Sequence, residues 1–440
     1  MMLSGWGRYP RAECRVIEPD GAAETLAAIS GNDSLIARGN GRSYGDSSLN
    51  PEATVSTRRE NRFIAFDPAT GVLTCEAGAM LSDILATFVP RGWFPPVTPG
   101  TKFVTIGGMI AADVHGKNHH KAGAFGDHVE WLDLALADGQ VLRCSAAENA
   151  ELFAATRGGG MGLTGIILAA CFRMTPIETA SIRQETLRAG DLAETMDLFE
   201  QSRDWTYTVA WIDCLAKGGG LGRSLLYRGE HARLAELPAE HREAPLALKP
   251  PRSKRVPLDF PAASLNRWSV GAFNGLYYRR SKPGTALVDF ETFFYPLDAI
   301  LEWNRIYGRS GLLQYQCVLP KAESAAGLRA LLSRIIAAGA GSFLSVLKLL
   351  GPQAGPLSFP LEGYTLALDF RAGAATLALL AELDAIVAAH GGRIYLAKDA
   401  RMDAAMMRKT YPRLAEFESL RRRVDPQGKF ASLQSRRLAL

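Results

Sequence analysis

The most informative segment for the architecture is Ala37-Arg-Gly-Asn-Gly-Arg-Ser-Tyr-Gly-Asp46. Its three glycines let the backbone turn sharply, so that successive amide N–H groups can point to one place. A nest of amides of this kind binds an anion such as a pyrophosphate. It is not a P-loop, because no Gly-Lys-Ser or Gly-Lys-Thr follows. The stretch therefore predicts a loop that holds a phosphate-containing cofactor, with Arg38 or Arg42 adding charge and Ser43 a hydroxyl.

A second glycine-rich stretch follows about sixty positions later. Val97-Thr-Pro-Gly-Thr101 predicts a turn, and Thr105-Ile-Gly-Gly-Met-Ile-Ala-Ala-Asp113 begins with a residue suited to a helix N-cap. Small side chains at 107, 108, 111 and 112 would let a flat ring or a backbone come very close. This segment is typical of a cofactor-lining helix start.

A third stretch, Gly160-Met-Gly-Leu-Thr-Gly165, has the spacing G-x-G-x-x-G. A dinucleotide fingerprint of that form needs a strand before it and a helix after it. Here the pattern predicts a helix over Glu148–Thr156 and a strand over Leu163–Met174, which is the opposite order. We therefore reject a nicotinamide Rossmann site, although the loop can still line a cofactor.

The composition is that of an ordinary globular protein of two domains. The chain has 440 residues, 47% hydrophobic and 22% charged, with a net charge of +5. These values exclude a mainly disordered chain, and the small positive surplus does not call for a nucleic-acid partner. No secretory signal or run of 18 apolar residues is visible, and the six cysteines show no C-x-x-C pair. We expect a cytoplasmic protein with reduced cysteines.

Strands and helices of the first 180 residues predict an α+β fold rather than a regular βαβ repeat. Phe63–Phe66 and Val72–Ala77 flank a five-residue turn, and Val129–Ala137 and Val141–Cys144 flank Asp138-Gly139, the strongest short hairpin signal. From 181 to 392, longer helices alternate with strand-like runs such as Leu312–Leu319. We expect domains at 1–180 and 181–392, with 393–440 returning to the first.

One proline-rich segment, Leu246–Pro261, is a poor helix or central strand. The plain interpretation is a surface loop. Its bases and apolar side chains also suit an anionic membrane surface, so peripheral contact with the inner membrane is the alternative.

Together and in this order, the three glycine loops resemble the FAD domain of the vanillyl-alcohol oxidase/PCMH-type flavoproteins. That resemblance implies an α+β, PCMH-type FAD-binding domain of two subdomains and a substrate (cap) domain built on an antiparallel sheet with flanking helices. Many of these flavoproteins attach FAD through a histidine of the first loop, where Arg42 stands here. We therefore expect non-covalent FAD.

More particular motifs are similar to the decaprenylphosphoryl-β-D-ribose 2′-oxidase family, and they extend over nearly the whole chain. They comprise Gly5-Trp-Gly-Arg8, Asp113-Val-His-Gly-Lys-Asn-His-His120, Leu313-Gln-Tyr-Gln316, Lys348-Leu-Leu-Gly-Pro352, Leu357-Ser-Phe-Pro360 and Ala397-Lys-Asp-Ala-Arg401. The resemblance implies oxidation of the 2′-hydroxyl of a polyprenyl-phospho-β-D-ribose to a 2′-keto intermediate. This is the first half of an epimerisation that supplies arabinose for cell-wall arabinan, and a separate NADH-dependent keto-reductase completes it.

The same resemblance implies roles for individual residues. Lys398 matches the lysine of the active centre, with His115, Tyr44 and Gln316 as further catalytic candidates. The expected FAD contacts are Ala37, Arg38, Gly39, Asn40, Gly41, Arg42, Ser43, Tyr44, Gly45, Asp46, Ser47, Gly100, Thr105, Ile106, Gly107, Gly108, Ala112, Asp113, Val114, His115, Ile167 and Tyr395. The expected substrate contacts are Lys117, Gln314, Gln316, Lys348, Thr365 and Ala367.

Two of these positions depart from the mycobacterial family pattern, which has Asn where Thr365 stands and Cys where Ala367 stands. The cysteine is not needed for hydride transfer, so activity is compatible with Ala367. The loss of the asparagine bears on substrate preference.

Elementary chemistry leaves some alternatives open. His115, His119 and His120 could ligate a metal, but no acidic or thiol ligands cluster nearby at a recognised spacing, so we expect no metal and instead histidines beside the cofactor. Lys398 follows a strand-like run, Arg393–Ala397, from which it could project into the flavin pocket. It could be a base with a lowered pKa or could simply pair with Asp399. An oxidase of a free alditol, aldonolactone or hydroxy acid, or a flavin-free binding subunit, also fits the sequence.

Overall fold

The computed structural model describes residues 1–248, 253–261 and 264–440. Small sheets form the beginning of the chain. Strands β1 (Met2–Ser4) and β2 (Arg11–Glu13) pair antiparallel, whereas β3 (Val16–Ile17), β4 (Ile36–Arg38) and β5 (Thr54–Ser56) form a parallel sheet with β5 in the centre. The first glycine loop leaves the carboxyl end of β4.

A five-stranded antiparallel sheet follows, in the order β10-β9-β11-β7-β6. Its strands are β6 (Phe63–Asp67), β7 (Val72–Glu76), β9 (Val129–Ala135), β10 (Val141–Ser145) and β11 (Ile166–Arg173), while β8 (Trp93–Phe94) pairs separately with β12 (Thr175–Pro176). The predicted hairpin turn at Asp138-Gly139 is confirmed, because Gly139 has a φ of 88° and the Gln140 amide donates to the Asp138 carboxylate.

An eight-stranded sheet, in the order β17-β13-β15-β14-β20-β21-β19-β22, dominates the rest of the chain, and all its pairings are antiparallel. The strands are β13 (Ser181–Ala189), β14 (Tyr207–Ile212), β15 (Ser224–His231), β17 (Gly284–Asp289), β19 (Leu312–Pro320), β20 (Ser345–Leu350), β21 (Gly363–Arg371) and β22 (Arg393–Ile394). Two short strands, β16 (Lys254–Arg255) and β18 (Ile300–Leu301), pair outside it.

Helices pack against these sheets through apolar stripes. They are α1 (Ala22–Ser30), α2 (Leu81–Phe88), α3 (Ile106–Ala111), α4 (His119–Ala122), α5 (Ala150–Arg157), α6 (Leu192–Gln201), α7 (Arg267–Arg280), α8 (Phe290–Phe294), α9 (Lys321–Ala338), α10 (Ala374–Ala389), α11 (Ala404–Thr410), α12 (Leu414–Val424) and α13 (Leu433–Leu438). In α2, Leu81, Ile84, Leu85 and Phe88 are buried, the spacing of one helix face.

The α+β class with a large antiparallel sheet is therefore confirmed. Around the third glycine loop, α5 precedes and β11 follows, so the rejected Rossmann order is confirmed to be absent there. One element is shorter than expected: the strand predicted over Arg393–Ala397 ends at Ile394, because the amide of Lys398 donates to the Tyr395 carbonyl and closes a turn.

The expected domain division at 180 and 392 stays a prediction. Strand β22 pairs with β19 in the large sheet, whereas later residues return to the first part of the chain, where Leu35 bridges Phe430. In the portion of the chain that the structure describes, no helix combines the length and apolar character needed to cross a bilayer.

Candidate active site

A cavity of about 640 Å³ lies between the glycine loops and the large sheet. Its volume is that of a typical small-molecule site. It is lined by most of the predicted site residues: Ala37, Gly39, Asn40, Gly41, Arg42, Ser43, Tyr44, Ser47, Gly100, Thr105, Gly107, Gly108, Ala112, Val114, His115, Lys117, Ile167, Gln314, Gln316, Lys348, Ala367, Tyr395 and Lys398. Positions far apart in sequence therefore converge on one space.

Some predicted cofactor contacts do not line this cavity. Arg38 turns away, and its guanidinium donates to the Ser4 carbonyl at 2.7 Å. Ile106 is fully buried in the main core, and Asp113 is buried near the amide of Gln353. Burial raises the pKa of Asp113 to about 7. These residues support the lining from behind rather than facing the space.

Gly45, Asp46 and Thr365 also lie behind the lining. Gly45 packs against the backbone carbonyl of Asp399, leaving no room for a side chain. Asp46 forms an ion pair with Arg437 at 2.8 Å. Thr365 is buried, and its hydroxyl accepts a hydrogen bond from the amide of Gln316 at 3.2 Å.

The first glycine loop has the geometry of an anion site. Gly41 has a left-handed φ of 61°, and a Cβ there would overlap the guanidinium of Arg38. A Cβ on Gly39 would overlap the hydroxyl of Thr105. Within the described residues, the amides of positions 40 to 43 donate to no acceptor of the chain, so they are free to bind a ligand. The cradle therefore fits the pyrophosphate of FAD.

Arg42 stands in the first glycine loop, where the resemblance to PCMH-type flavoproteins implies the position of a linking histidine. Its guanidinium stacks on Trp6, 3.9 Å from the ring centre, and lies 5.3 Å from the ring centre of Phe103. Burial lowers the pKa of Arg42, and the Asp298 carboxylate opposes that shift. A stacked guanidinium is held in place by its aromatic neighbours.

Lys398 enters the cavity from the turn after β22. The amide of Tyr44 donates to the Ala397 carbonyl at 2.9 Å, which fastens this turn to the first glycine loop. The Lys398 ammonium lies 3.9 Å from the ring centre of Tyr44. The alternative pairing of Lys398 with Asp399 is wrong, because the Asp399 carboxylate accepts instead from Arg437 and from backbone amides.

Arg437 joins three segments behind the cavity. Its guanidinium contacts Asp46 of the glycine loop at 2.8 Å and Asp399 of the lysine turn at 2.9 Å. The side chains of both aspartates are nearly or fully buried. Removing the arginine would therefore leave two carboxylates without their cation.

Three lysines from separate parts of the sequence face the same cavity. Burial lowers the pKa of Lys398 to about 7, that of Lys117 to about 7 and that of Lys348 to about 8. For Lys398, the Asp369 carboxylate opposes the shift and Lys348 adds to it. Cations that share one cavity favour an anionic ligand, and they readily lose a proton when no anion is bound.

Two glutamines of β19 project into the cavity on the same side of the strand. The amide of Gln316 contacts His115 Nε2 at 3.0 Å. Burial lowers the pKa of His115 well below its usual value, so the neutral ring accepts this hydrogen bond. Gln314 donates to Asp369 at 2.6 Å. Both amides are therefore held in place by neighbours on other elements.

Asp369 supports the lining residue Gln314 from behind the cavity, and the sequence reasoning missed it. It lies opposite Gln314 on β21 and is 1% exposed. Burial raises its pKa to about 7. The available signal was the one carboxylate in the mostly apolar run Gly363–Arg371, since an acid within a central strand needs a partner.

The cavity is also lined by aromatic residues that the sequence reasoning did not predict: Trp6, Trp211, Tyr227, Tyr277 and Trp303.

The expectation that all three histidines lie beside the cofactor is wrong. Only His115 of the three lines the cavity. His119 Nδ1 accepts from the Gly351 amide at 3.0 Å, and His120 contacts the Trp205 carbonyl at 2.9 Å. Those two rings fasten α4 to neighbouring elements because their ring nitrogens satisfy buried backbone groups.

Comparison with known proteins agrees with this geometry. Residues 15–145 match the family model of an FAD binding domain, and residues 367–438 match that of D-arabinono-1,4-lactone oxidase. The chain is 40% identical to decaprenylphosphoryl-β-D-ribose oxidase of Mycolicibacterium smegmatis, over 100% of this chain and 97% of the relative. It is 36% identical to an uncharacterized protein in the mprA 5′ region of Streptomyces coelicolor, over 80% and 97%.

The region aligned with the first relative includes both the glycine loops and the lysine turn. The match to the FAD binding domain includes the amide cradle. FAD is accordingly the cofactor of this chain. The chain belongs to the decaprenylphosphoryl-β-D-ribose oxidase family of FAD-dependent oxidoreductases.

Proposed function

We propose that this protein oxidises the 2′-hydroxyl of a polyprenyl-phospho-β-D-ribose to the 2′-keto intermediate. The name of the mycolicibacterial relative supports a phosphoryl ribose as substrate. On this proposal, the product passes to a separate NADH-dependent keto-reductase, which completes the epimerisation to an arabinose donor for the cell envelope.

One observation carries the proposal: Lys117, Lys348 and Lys398 share a cavity with the amides of Gln314 and Gln316. A phosphate diester is an anion that lysines bind as point charges. Primary amides donate to and accept from sugar hydroxyls. A free alditol or lactone has no charge to engage the three lysines, so the lysines favour a sugar phosphate.

FAD, when bound, supplies the acceptor for the hydride that leaves C2′. The residues of the chain do the rest. We assign Lys398 as the base that takes the hydroxyl proton at Nζ, because burial lowers its pKa to about 7, where the neutral amine is available. Tyr44 holds that amine in place. Gln316, held by His115 and Thr365, orients the sugar.

The FAD is held without a covalent bond on this proposal, since Arg42 stands in the first loop and is stacked on Trp6. Acid precipitation tests this directly. The yellow colour is expected in the supernatant, and colour that stays with the protein pellet would contradict non-covalent binding.

Anaerobic mixing tests the substrate. The holoenzyme is mixed with a lipid-linked phosphoribose, and bleaching of the visible flavin absorbance is followed; we expect bleaching. If free alditols, aldonolactones or hydroxy acids bleach the flavin and the lipid-linked ribose does not, the alternative oxidase is correct. Purified protein that shows no visible absorbance and takes up no FAD would instead indicate a flavin-free binding subunit.

Peripheral contact with the inner membrane through 246–261 is part of the same proposal. Positions 249–252 of that segment lie outside the described residues, whereas Leu258 and Phe260 are exposed. A membrane contact would keep the polyprenyl tail in the apolar interior of the bilayer while the sugar reaches the cavity.

A further inference from the structure

Helix α7 carries large apolar side chains on its outer surface. Trp268 is 73% exposed, Phe273 47% and Leu276 44%. Trp268, Ala272 and Leu276 are four residues apart, so they follow one another along one face of the helix. An exposed apolar stripe of this kind is rare on a monomeric protein unless something covers it.

The inner face of the same helix carries few large apolar side chains. Its buried residues are Val270 and Asn274, with the half-buried Gly271 and Gly275 beside them. Asn274 donates to the Asp213 carboxylate at 3.0 Å. The usual amphipathic order, apolar inward and polar outward, is therefore absent from this helix. Packing against the protein does not explain the outer apolar stripe.

The charged side chains of the segment that contains α7 have one sign. Between Phe260 and Val288 the sequence contains Arg267, Arg279, Arg280 and Lys282, with no Asp or Glu. All four cations are exposed. Asp259, just before this stretch, pairs with Arg8 at 2.5 Å. Aromatic and aliphatic side chains flanked by arginine and lysine suit the interface of an anionic bilayer.

The apolar stripe is continuous with the mouth of the cavity. Tyr277 of α7 lines the cavity, and its hydroxyl bonds to that of Tyr227, another lining residue, at 2.9 Å. Phe273 stacks on Tyr277, with ring centres 5.9 Å apart. A surface that covers the stripe would therefore meet the entrance to the site.

We propose that the outer face of α7 docks on an anionic phospholipid bilayer and holds the cavity mouth against it. This inference rests on the proposed function for its purpose: the cavity of about 640 Å³ also holds the cofactor, so a polyprenyl tail stays outside it. Docking leaves the tail in the bilayer and lets only the phosphoribose head enter. It also moves the membrane contact from the 246–261 loop alone to the helix beside it.

Vesicle flotation tests the docking without any substrate. Holoenzyme is mixed with vesicles of phosphatidylcholine alone or with added phosphatidylglycerol, and we expect flotation with the anionic vesicles. The double variant Trp268→Ser/Leu276→Ser should lose it. Arg279→Gln/Arg280→Gln should weaken partitioning roughly 25-fold, about fivefold for each charge removed.

The matched control is Ile64→Ser/Val141→Ser, which removes exposed apolar side chains from β6 and β10. It should float as the parent enzyme does. Equal flotation with neutral vesicles, or flotation of the Trp268→Ser/Leu276→Ser variant, would overturn the proposal. The proposal would also be overturned if the parent enzyme did not bind vesicles and instead sedimented as a dimer that this variant converts to a monomer. The stripe would then bind a second copy of the chain.

Kinetics separate this inference from the proposed function. Flavin reduction by a long-chain phosphoribose in anionic vesicles should slow at least tenfold in Trp268→Ser/Leu276→Ser, while reduction by a water-soluble short-chain analogue stays unchanged. Equal slowing with both substrates would overturn docking and leave the oxidase assignment standing. Flotation without reduction of flavin by either substrate would leave docking standing and remove the oxidase assignment.

Discussion

At the scale of single residues, the proposed chemistry depends on a buried amine whose pKa a carboxylate influences electrostatically. Lys398 has its pKa lowered to about 7 by burial, and Asp369 limits that shift. A general base works best when its pKa lies near the working pH. The pKa of the proposed proton acceptor therefore depends on two elements, the turn after β22 and the strand β21.

Replacing the amine tests its role. Lys398→Ala should keep FAD bound and lower the rate of flavin reduction about 10²- to 10⁴-fold. In the parent enzyme the rate should rise with pH through about 7, because the neutral amine is the active form. Stopped-flow absorbance measures both. Lys321→Ala, which removes a lysine paired with Glu200 outside the cavity, is the control; near-parental reduction by Lys398→Ala would remove the assignment.

Asp369→Asn tests the carboxylate. The negative charge of Asp369 stabilises the charged form of Lys398, so its loss should lower the pKa of that lysine. We expect the acid limb of the pH–rate profile to move down by roughly one pH unit, with bound FAD retained. A limb that stays in place or moves up would show that the two groups are not coupled.

Ala367 lines the cavity at the position where the mycobacterial pattern has a cysteine. Inhibitors that bond to that cysteine should form no adduct here, since a methyl group has no nucleophile. Intact-protein mass spectrometry after incubation checks this, with Ala367→Cys as the positive control. An added inhibitor mass on the parent protein would refute the expectation; all six of its cysteines are buried elsewhere.

At the scale of elements, the local turn chemistry could be predicted from sequence and the long-range contacts could not. Asp138-Gly139 specifies its hairpin within a few residues. The strand expected over Arg393–Ala397 ends early, because Tyr395 and its neighbours meet β19 and the first glycine loop. Asp369 was missed for the same reason: its partner Gln314 is 55 residues away in sequence.

The contact between the glycine loop and the lysine turn can be tested at Gly45. A Cβ there would overlap the Asp399 carbonyl and come within 2.9 Å of the Ala400 Cα. Gly45→Ala should therefore lower both FAD content and unfolding temperature, with a loss of about 1–3 kcal/mol in stability. Gly219→Ala, where a Cβ meets nothing within 4 Å, is the control. Full FAD content and unchanged unfolding would contradict the contact.

At the scale of the whole molecule, the site is an assembly of distant segments. Lys117 follows α3, Lys348 lies on β20 and Lys398 follows β22. Residue types and motif order allowed these three to be predicted by resemblance, but their shared space depends on the packing of the large sheet on the glycine loops.

The lysine cluster predicts proton uptake on binding. At pH 8 Lys117 and Lys348 are partly neutral, since burial lowers their pKa to about 7 and about 8. A bound anion raises both pKa values, so the enzyme should take up at most about 1.4 protons when it binds one short-chain phosphodiester of ribose. Below pH 6 the uptake should approach zero, because both amines are already charged.

Calorimetry in two buffers of different ionisation enthalpy measures this uptake. Lys348→Met should reduce it, whereas Lys321→Met, outside the cavity, should not. Binding with no buffer dependence at pH 8 would show that the ligand anion does not meet the lysines.

Arg437 has a consequence for how the protein is made. It contacts Asp46, which is 391 positions earlier in the chain, and also Asp399. The residues of the nucleotide cradle are translated early, yet the clamp behind that cradle can form only after position 437 has been translated and has left the exit tunnel. Stable loading of the flavin is therefore expected only after that point, so the cell must maintain the chain up to position 437 in an unliganded state.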